Sequence, residues 1–203
     1  MAAPLLLTGF DAFGNFKENP SWEALKFANA RGMFAGVAVA IEKIPVTYGG
    51  AFEAFERAVK AHNPVACVSF GVHGGLGREA QTICLERTAR NRDGASKADN
   101  AGVVRAEQTI VAAGPETLPS ALPLERLRKA LADAGYAVEV SNDAGKYLCN
   151  HLFYRAAHAL RGRIAYGFVH VPPVKGGGGE MTLERLAQAV VLIAAEVAGM
   201  PAS

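Results

Sequence analysis

Short apolar runs alternate with amphipathic stretches along most of the chain. The run Ala66 to Phe70 is continuous in apolar character, which is typical of a strand buried on both faces. Near the other end, Leu183, Leu186 and Val190 recur at three- and four-residue spacings, which predict a helix with one apolar face. The pattern predicts strands over 5–7, 37–44, 66–70, 137–141 and 165–171, and helices starting at 19–21 and over 51–61, 124–134, 146–160 and 182–197.

Strands that alternate with helices of this length predict an α/β fold. We expect a single-domain, three-layer α/β/α sandwich around a mostly parallel, mixed and twisted sheet, spanning residues 1–203. The stretch 71–114 differs, because it is rich in Gly, Asn, Asp and Arg and shows no long helical pattern. An excursion of this length is usually functional or forms a hairpin of its own.

Composition narrows the class of protein. Half of the 203 residues are hydrophobic, a fifth are charged and the formal net charge is +2, as in an ordinary globular protein. No basic cluster suggests nucleic acid, and no apolar run is long enough for a membrane span or a signal peptide. Three widely spaced cysteines without a CxxC pair predict free thiols in a reducing cytoplasm. We expect no metal and no cofactor, and His73, His151 and His158 show no metal-ligand spacing.

Reactive residues gather where predicted strands end. In a parallel sheet these ends share one edge, so segments far apart in sequence are expected to converge there. The four segments are Thr8 to Gly14, Gly71 to Gly77, Ser141 to Cys149 and His170 to Pro173.

Cys149 is expected in the first turn of a helix that follows Gly145. Unpaired N–H groups and the helix dipole favour an anion at that position, and a thiolate is the nucleophilic form of cysteine. Alternatively, Cys149 belongs to an apolar helical stripe with Phe153 and Leu160 and merely packs.

His170 ends a strand and is placed to act as a base. The alternative is a histidine that only bonds a backbone carbonyl. A base for Cys149 also needs a third group to hold its tautomer, and Glu86 and Asp143 are both candidates. Together these residues favour a cysteine hydrolase.

Three motifs resemble one family, pyroglutamyl peptidase I, also called pyrrolidone-carboxylate peptidase. Residues 7–14 with 19–22 are similar to its N-terminal signature, and residues 141–150 continuing to Tyr154 are similar to its nucleophile segment. Residues 167–172 resemble its histidine segment, the third of these motifs, and by the same resemblance residues 83–91 match its acid motif. The likeness runs from about residue 5 to residue 195.

The resemblance implies that Cys149 is the nucleophile, His170 the general base and Glu86 the orienting acid. It implies a small pocket for the lactam ring of an N-terminal pyroglutamate. The residues that match the family's substrate-binding positions are Phe10, Phe13, Tyr147 and Asn19.

Two positions depart from the family pattern. Bacterial members usually carry an arginine six residues before the acid, where this chain has Ala80, with Arg78 nearby. They usually carry another ten residues after the acid, where this chain has Ser96, followed by Lys97. We therefore expect substrate affinity or preference to differ from that of the bacterial members, whereas Cys149, His170 and Glu86 are all in place.

The expected function is a cytoplasmic cysteine exopeptidase that removes N-terminal pyroglutamate from small peptides through a thioester. The family resemblance also implies a homo-oligomer, often a tetramer, without nucleic-acid or membrane partners. Two alternatives stay open at this point: a related cysteine amidase with another acyl specificity, and a non-catalytic protein that binds lactams or peptides on the same fold.

Overall fold

The computed structural model describes residues 3–14, 17–73 and 81–200. Each of the predicted helices and strands is present, and most of their ends lie within two residues of the prediction. In chain order the elements are β1 (Leu5–Phe10), α1 (Pro20–Ala30), β2 (Val39–Ile44), α2 (Ala51–His62), β3 (Ala66–Val72), β4 (Ile83–Glu86), β5 (Thr88–Arg90), β6 (Asp93–Ala95), β7 (Arg105–Gln108), β8 (Thr117–Pro119), α3 (Leu124–Asp133), β9 (Val138–Ser141), α4 (Leu148–Leu160), β10 (Ala165–Val171) and α5 (Leu183–Ala198).

Six strands form the central sheet, in the order β2-β1-β3-β10-β4-β9. The four strands β2, β1, β3 and β10 are mutually parallel. Strand β4 runs antiparallel to β10, and β9 runs parallel to β4. The sheet is therefore mostly parallel but mixed, as the sequence predicts.

Helices cover both faces of this sheet and complete three layers. Helices α1, α3 and α5 pack together over one face, around a core that includes Leu7, Val68 and Ile193. Helices α2 and α4 cover the other face, around a core that includes Leu6 and Phe168. Strands β1 and β3 lie in the middle of the sheet, which explains why their apolar runs do not alternate with polar residues.

Local sequence signals set where the flanking helices begin. Asn19 caps α1 by accepting a hydrogen bond from the backbone N–H of Ser21, and Pro20 occupies the first helical position. Thr182 caps α5 in the same way through the N–H of Arg185. No helix within the described ranges is long and apolar enough to cross a membrane.

The stretch 71–114 is not wholly an excursion. Residues Ile83–Glu86 form β4, which lies inside the main sheet between β10 and β9. The remainder of the stretch contributes to two antiparallel ribbons, β5 with β8 and β6 with β7. The apolar run in β4 is three residues long, too short to be assigned as a core strand from its pattern.

The direction of β9 corrects the expectation that all four reactive segments leave one edge of the sheet. Because β9 runs antiparallel to β10, its last residue, Ser141, pairs with Glu86, which in turn lies opposite Phe168 in the middle of β10. Residues 142–147 then carry the chain to α4. The nucleophile segment therefore meets the other segments at the start of a helix, because apolar patterning does not encode strand direction.

Candidate active site

Cys149 lies in the first turn of α4, as predicted. The preceding turn depends on Gly145, whose φ of +80° is a left-handed conformation that glycine adopts without strain. The thiol fits closely against the end of β3, since a Cβ atom on Gly71 would lie 3.0 Å from Sγ of Cys149 and 2.9 Å from Cζ of Phe168. Glycine at position 71 thus leaves the space that the thiol occupies.

His170 and Glu86 come from neighbouring antiparallel strands, β10 and β4. Phe168 pairs with Glu86 in the register, so His170, two residues further on, lies on the same face of the sheet as the carboxylate. Nδ1 of His170 is 2.7 Å from Oε1 of Glu86, and both side chains are buried. Since Nδ1 bonds the carboxylate, Nε2 is the ring nitrogen left for Cys149, whose thiol lies close enough to His170 to raise its pKa.

Burial and neighbouring charges act on the pKa of His170 in opposite directions. Burial by itself lowers the pKa of His170, because it disfavours the imidazolium. The thiolate of Cys149 and the carboxylate of Glu86 act in the opposite direction and outweigh burial, so the pKa of His170 lies well above its ordinary value. A raised pKa lets the His170 imidazole hold a proton, and the thiolate is the reactive form of cysteine in a cysteine–histidine site.

Asp143, the other sequence candidate for the third group, lies elsewhere. Its Oδ1 accepts a hydrogen bond from the N–H of Gly145, and its Oδ2 lies 3.8 Å from Nη1 of Arg90. The side chain is largely exposed. Asp143 shapes the turn before the nucleophile, and the geometry brings Glu86 to His170 instead.

Aromatic side chains border the nucleophile on one side. The ring of Phe13 lies 5.2 Å from that of Tyr147, centroid to centroid, at an angle of 31°. Tyr147 is the residue before α4, so this pair lies at the N-terminal end of the helix that carries Cys149. Phe10 lies deeper: it is almost fully buried and packs against Phe168, with centroids 6.3 Å apart.

The amide group of Asn19 is fully engaged within the protein. Oδ1 accepts from the N–H and the hydroxyl of Ser21, and Nδ2 donates to the carbonyl of Asp11. Asn19 therefore holds the chain segment that leads to Phe13. Its part in substrate binding stays a prediction, and the structure gives its amide only partners within the protein.

Residues 97–100 close over the aromatic pair, a contact that the sequence pattern does not predict. The hydroxyl of Tyr147 donates to the carbonyl of Ala98 at 2.9 Å, and Nδ2 of Asn100 donates to the carbonyl of Ala12 at 2.8 Å. Nζ of Lys97 lies 3.8 Å from the centroid of Phe13. Lys97 thus places a positive charge beside the site, whereas Ser96 is exposed. Arg78, Ala80 and the glycine loop at 74–77 lie outside the described residues.

The other two cysteines are buried and remain free thiols. Burial raises the pKa of the Cys67 thiol to about 12, which keeps it protonated and unreactive. Within 3–14, 17–73 and 81–200, no group of three or more His, Cys, Asp or Glu residues is placed to hold a metal ion.

Comparisons with known proteins find similar sequences and a similar structure over most of this chain. The family model described as pyroglutamyl peptidase matches residues 3–198. The pyrrolidone-carboxylate peptidase of Bacillus licheniformis is 38% identical over 175 residues, covering 85% of this chain and 79% of the relative. That of Aliivibrio fischeri is 34% identical over 196 residues, covering 94% of this chain and 90% of the relative. The crystal structure of pyroglutamyl peptidase I from Bacillus amyloliquefaciens matches with a TM-score of 0.88 at 29% identity, covering 98% of each chain.

Proposed function

The chain belongs to the pyroglutamyl peptidase family and is a peptidase that acts on N-terminal pyroglutamate, and on this premise we propose that Cys149, His170 and Glu86 carry out the reaction. The observation that carries the proposal is the arrangement of Glu86, His170 and Cys149: a buried hydrogen bond joins Glu86 to His170, and the Cys149 thiol lies close enough to raise the pKa of His170. It supplies a nucleophile, a proton carrier and an orienting carboxylate in one line.

The first half of the reaction forms a covalent intermediate. The thiolate of Cys149 attacks the carbonyl carbon of the pyroglutamyl residue, and the electron pair moves onto the carbonyl oxygen. When the tetrahedral intermediate collapses, the C–N bond breaks and the His170 imidazolium gives its proton to the leaving amine. The product is a pyroglutamyl thioester on Cys149 and a peptide with a new N-terminus.

The second half regenerates the enzyme. Neutral His170 takes a proton from water, and the resulting hydroxide attacks the thioester carbonyl. The C–S bond breaks, free pyroglutamate leaves and the thiolate–imidazolium pair is restored. The Glu86 carboxylate holds the ring in position and stabilises the imidazolium whenever it forms.

Backbone N–H groups at the start of α4 support oxyanion stabilisation. Tyr147 occupies the N-cap position and makes no side-chain capping hydrogen bond, so its side chain leaves the first-turn donors of α4 uncapped. Such donors, together with the helix dipole, stabilise negative charge that develops at the carbonyl oxygen.

The aromatic pair supports recognition of the lactam ring. An uncharged five-membered lactam needs flat apolar walls and a few polar contacts that fix its orientation. Phe13 and Tyr147 supply such walls beside Cys149, and Phe10 supports them from the core. We therefore propose small peptides with N-terminal pyroglutamate as the substrates.

Two further properties are proposed by family resemblance. We expect the protein to work in the cytoplasm, which the three free cysteines support, since reducing compartments keep thiols unpaired. We also expect a homo-oligomer, which by family resemblance is a tetramer.

The decisive experiment measures release of a fluorescent amine from a pyroglutamyl amide under reducing conditions. We expect wild type to cleave it and Cys149→Ala to lose at least about 10³-fold in rate, because the covalent step is removed. Cys67→Ala, which deletes a buried thiol outside the site, is the matched control and should keep its activity. Prolyl amide, which lacks the ring carbonyl, should be a poor substrate.

Two outcomes would overturn parts of this proposal. Activity that survives Cys149→Ala would contradict the assigned nucleophile but not the substrate class. A folded wild-type protein without activity on any pyroglutamyl amide would contradict the substrate class, and the amidase or lactam-binding alternatives would then take precedence.

A further inference from the structure

The residue after the nucleophile, Asn150, is bound entirely to another part of the chain. Its Oδ1 accepts a hydrogen bond from the N–H of Arg90, and its Nδ2 donates to the carbonyls of Arg90 and Arg92, each at 2.9 Å. The side chain is completely buried. One amide side chain thus binds three backbone groups at the end of β5 and just beyond it.

The next residue, His151, continues this attachment. Nδ1 of His151 is 2.8 Å from Oδ2 of Asp93 at the start of β6, and both side chains are buried. The same carboxylate oxygen accepts from Nη1 of Arg105 at 2.9 Å. The main chain adds a further bond, from the N–H of Gly94 to the carbonyl of Lys146. We call residues 150 and 151, with their hydrogen-bond partners at 90, 92 and 93, the helix anchor.

The helix anchor and the thiol occupy different sides of one helical turn. Successive residues of an α-helix point about 100° apart, so Asn150 and His151 do not share the direction of Cys149. The thiol faces Gly71 and Phe168, and a Cβ atom on Gly71 would lie only 3.0 Å from Sγ of Cys149. A shift or rotation of this turn therefore moves Sγ relative to His170, and the helix anchor is what opposes such a movement.

We propose that Asn150 and His151 are positioning residues that hold the first turn of α4 against residues 90–93 and thereby fix Cys149 at its working distance from His170. This inference rests on the proposed role of Cys149 as nucleophile. Misplacement of a reacting group by about 1 Å can cost about 100-fold in rate, so a small displacement of the turn is enough to matter.

Asn91 provides a matched control within the same stretch of chain. Its Oδ1 accepts from the N–H groups of Ile110 and Val111, and its Nδ2 donates to the carbonyls of Val111 and Gly114. Asn91 thus forms as dense a side-chain network as Asn150, but its partners all lie at 110–114 and not in α4. Asn91→Ala and Asn150→Ala should both reduce stability, whereas the nucleophile should be affected in Asn150→Ala alone.

The test compares the two variants at a temperature at which both are fully folded. We expect Asn150→Ala to lower kcat on a pyroglutamyl amide by about 10- to 100-fold while KM changes less than about threefold, because the lactam walls stay in place. Inactivation by iodoacetamide at pH 6 should slow in parallel, since the thiol loses its alignment with His170. Asn91→Ala should stay within about threefold of wild type in all three quantities.

A second pair of variants keeps the inference testable if Asn150→Ala does not fold. His151→Asn retains an N–H donor near the position of Nδ1, and His151→Leu does not. We expect His151→Asn to keep most of kcat and His151→Leu to lose about 10-fold. Equal kcat in these two variants, or a kcat for Asn150→Ala within threefold of Asn91→Ala, would overturn the inference.

The alkylation measurement separates this inference from the proposed function. Iodoacetamide reacts with the thiol without any pyroglutamyl substrate. If wild type fails to cleave pyroglutamyl amides, the substrate assignment is wrong, yet slower alkylation in Asn150→Ala than in Asn91→Ala still supports the helix anchor. Equal alkylation rates in the two variants contradict it, whatever the substrate is.

Discussion

Two buried imidazole–carboxylate pairs flank the start of α4, and they are nearly identical in their central contact. Nδ1 of His170 lies 2.7 Å from Glu86, and Nδ1 of His151 lies 2.8 Å from Asp93. The first pair joins two neighbouring strands of the sheet, whereas the second joins a helix to a ribbon. In the roles proposed above, the same contact serves chemistry in one place and attachment in the other.

The second ring nitrogen makes the difference. In His170 it is left for the Cys149 thiol, so the imidazole can pass a proton to or from a reacting group. In His151, Nε2 is buried and has no hydrogen-bond partner among the described residues. An imidazole with no group to exchange a proton with can orient its neighbours, but it cannot act as an acid or base.

The carboxylates differ as well. Glu86 bonds His170 through Oε1, and its Oε2 has no partner in the described part of the chain, so its negative charge acts on one imidazole. Asp93 divides its charge between His151 and the guanidinium of Arg105. A shared carboxylate is suited to holding elements together, and an unshared one to stabilising an imidazolium.

Among the variants that test this comparison, removal of the His170 imidazole should have the largest effect on the reaction rate. His170→Ala deletes the only proposed proton carrier, and we expect kcat/KM on a pyroglutamyl amide to fall by about 10³-fold, within the range usual for general acid–base groups. His151→Leu serves as the comparison, with its expected loss of about 10-fold. Similar losses in the two variants would show that the pairs are not functionally distinct.

Replacement of Glu86 by glutamine should change the pH dependence. The carboxylate raises the pKa of His170 by hydrogen bonding and by charge, so Glu86→Gln should lower that pKa. The imidazolium is then lost at a lower pH, and the alkaline limb of kcat/KM should move towards acid. At neutral pH we expect a loss of about 100-fold, because the tautomer is no longer held.

A pH profile between 5 and about 10 for wild type and Glu86→Gln checks this expectation, since it covers the ordinary pKa of histidine and the range above it. The profile of iodoacetamide inactivation should shift in the same direction. An unchanged alkaline limb in Glu86→Gln would mean that Glu86 does not control the protonation of His170.

The proposed catalytic residues Cys149 and His170 could be predicted from the sequence, but the pair of His151 and Asp93 could not. Cys149 follows a turn and precedes a helical pattern, and His170 ends an apolar strand run, so both stand at boundaries that the pattern marks. Asp93 lies in an Asn-Arg-Asp-Gly segment that is typical of a turn, and His151 shows no metal-ligand spacing. One signal was available: Asn150 and His151 are polar residues in a mostly apolar helix, and buried polar groups need partners.

For the fold, the positions of most strands and helices could be predicted from the sequence, but not the arrangement of all strands in the sheet. Apolar runs such as Ala165 to Val171 mark strands because buried strands need apolar side chains on both faces. The position of β4 between β10 and β9 was not predictable, since strand order and direction come from contacts between distant segments. Those same features bring Glu86 to His170, so the proposed third catalytic residue depends on information that periodicity lacks.

Removal of the Arg105 guanidinium, which shares Asp93 with His151, should have the smallest effect on rate. Arg105→Met keeps much of the side-chain volume over the ring of Tyr48 but deletes the charge that Asp93 shares with His151. Breaking a fully buried ion pair costs about 3–5 kcal/mol, but Arg105 is 28% exposed and Asp93 keeps His151, so we expect a loss of about 1–2 kcal/mol in unfolding free energy.

Denaturant unfolding of Arg105→Met alongside its steady-state kinetics measures both quantities. Because the contact between His151 and Asp93 is retained, kcat should fall by no more than about threefold, far less than in His151→Leu. Arg128→Met, which removes an exposed cation paired with Glu125 on the surface of α3, is the control and should change neither quantity appreciably. A loss of kcat in Arg105→Met as large as in His151→Leu would mean that the guanidinium, rather than the imidazole, holds the nucleophile's helix in place.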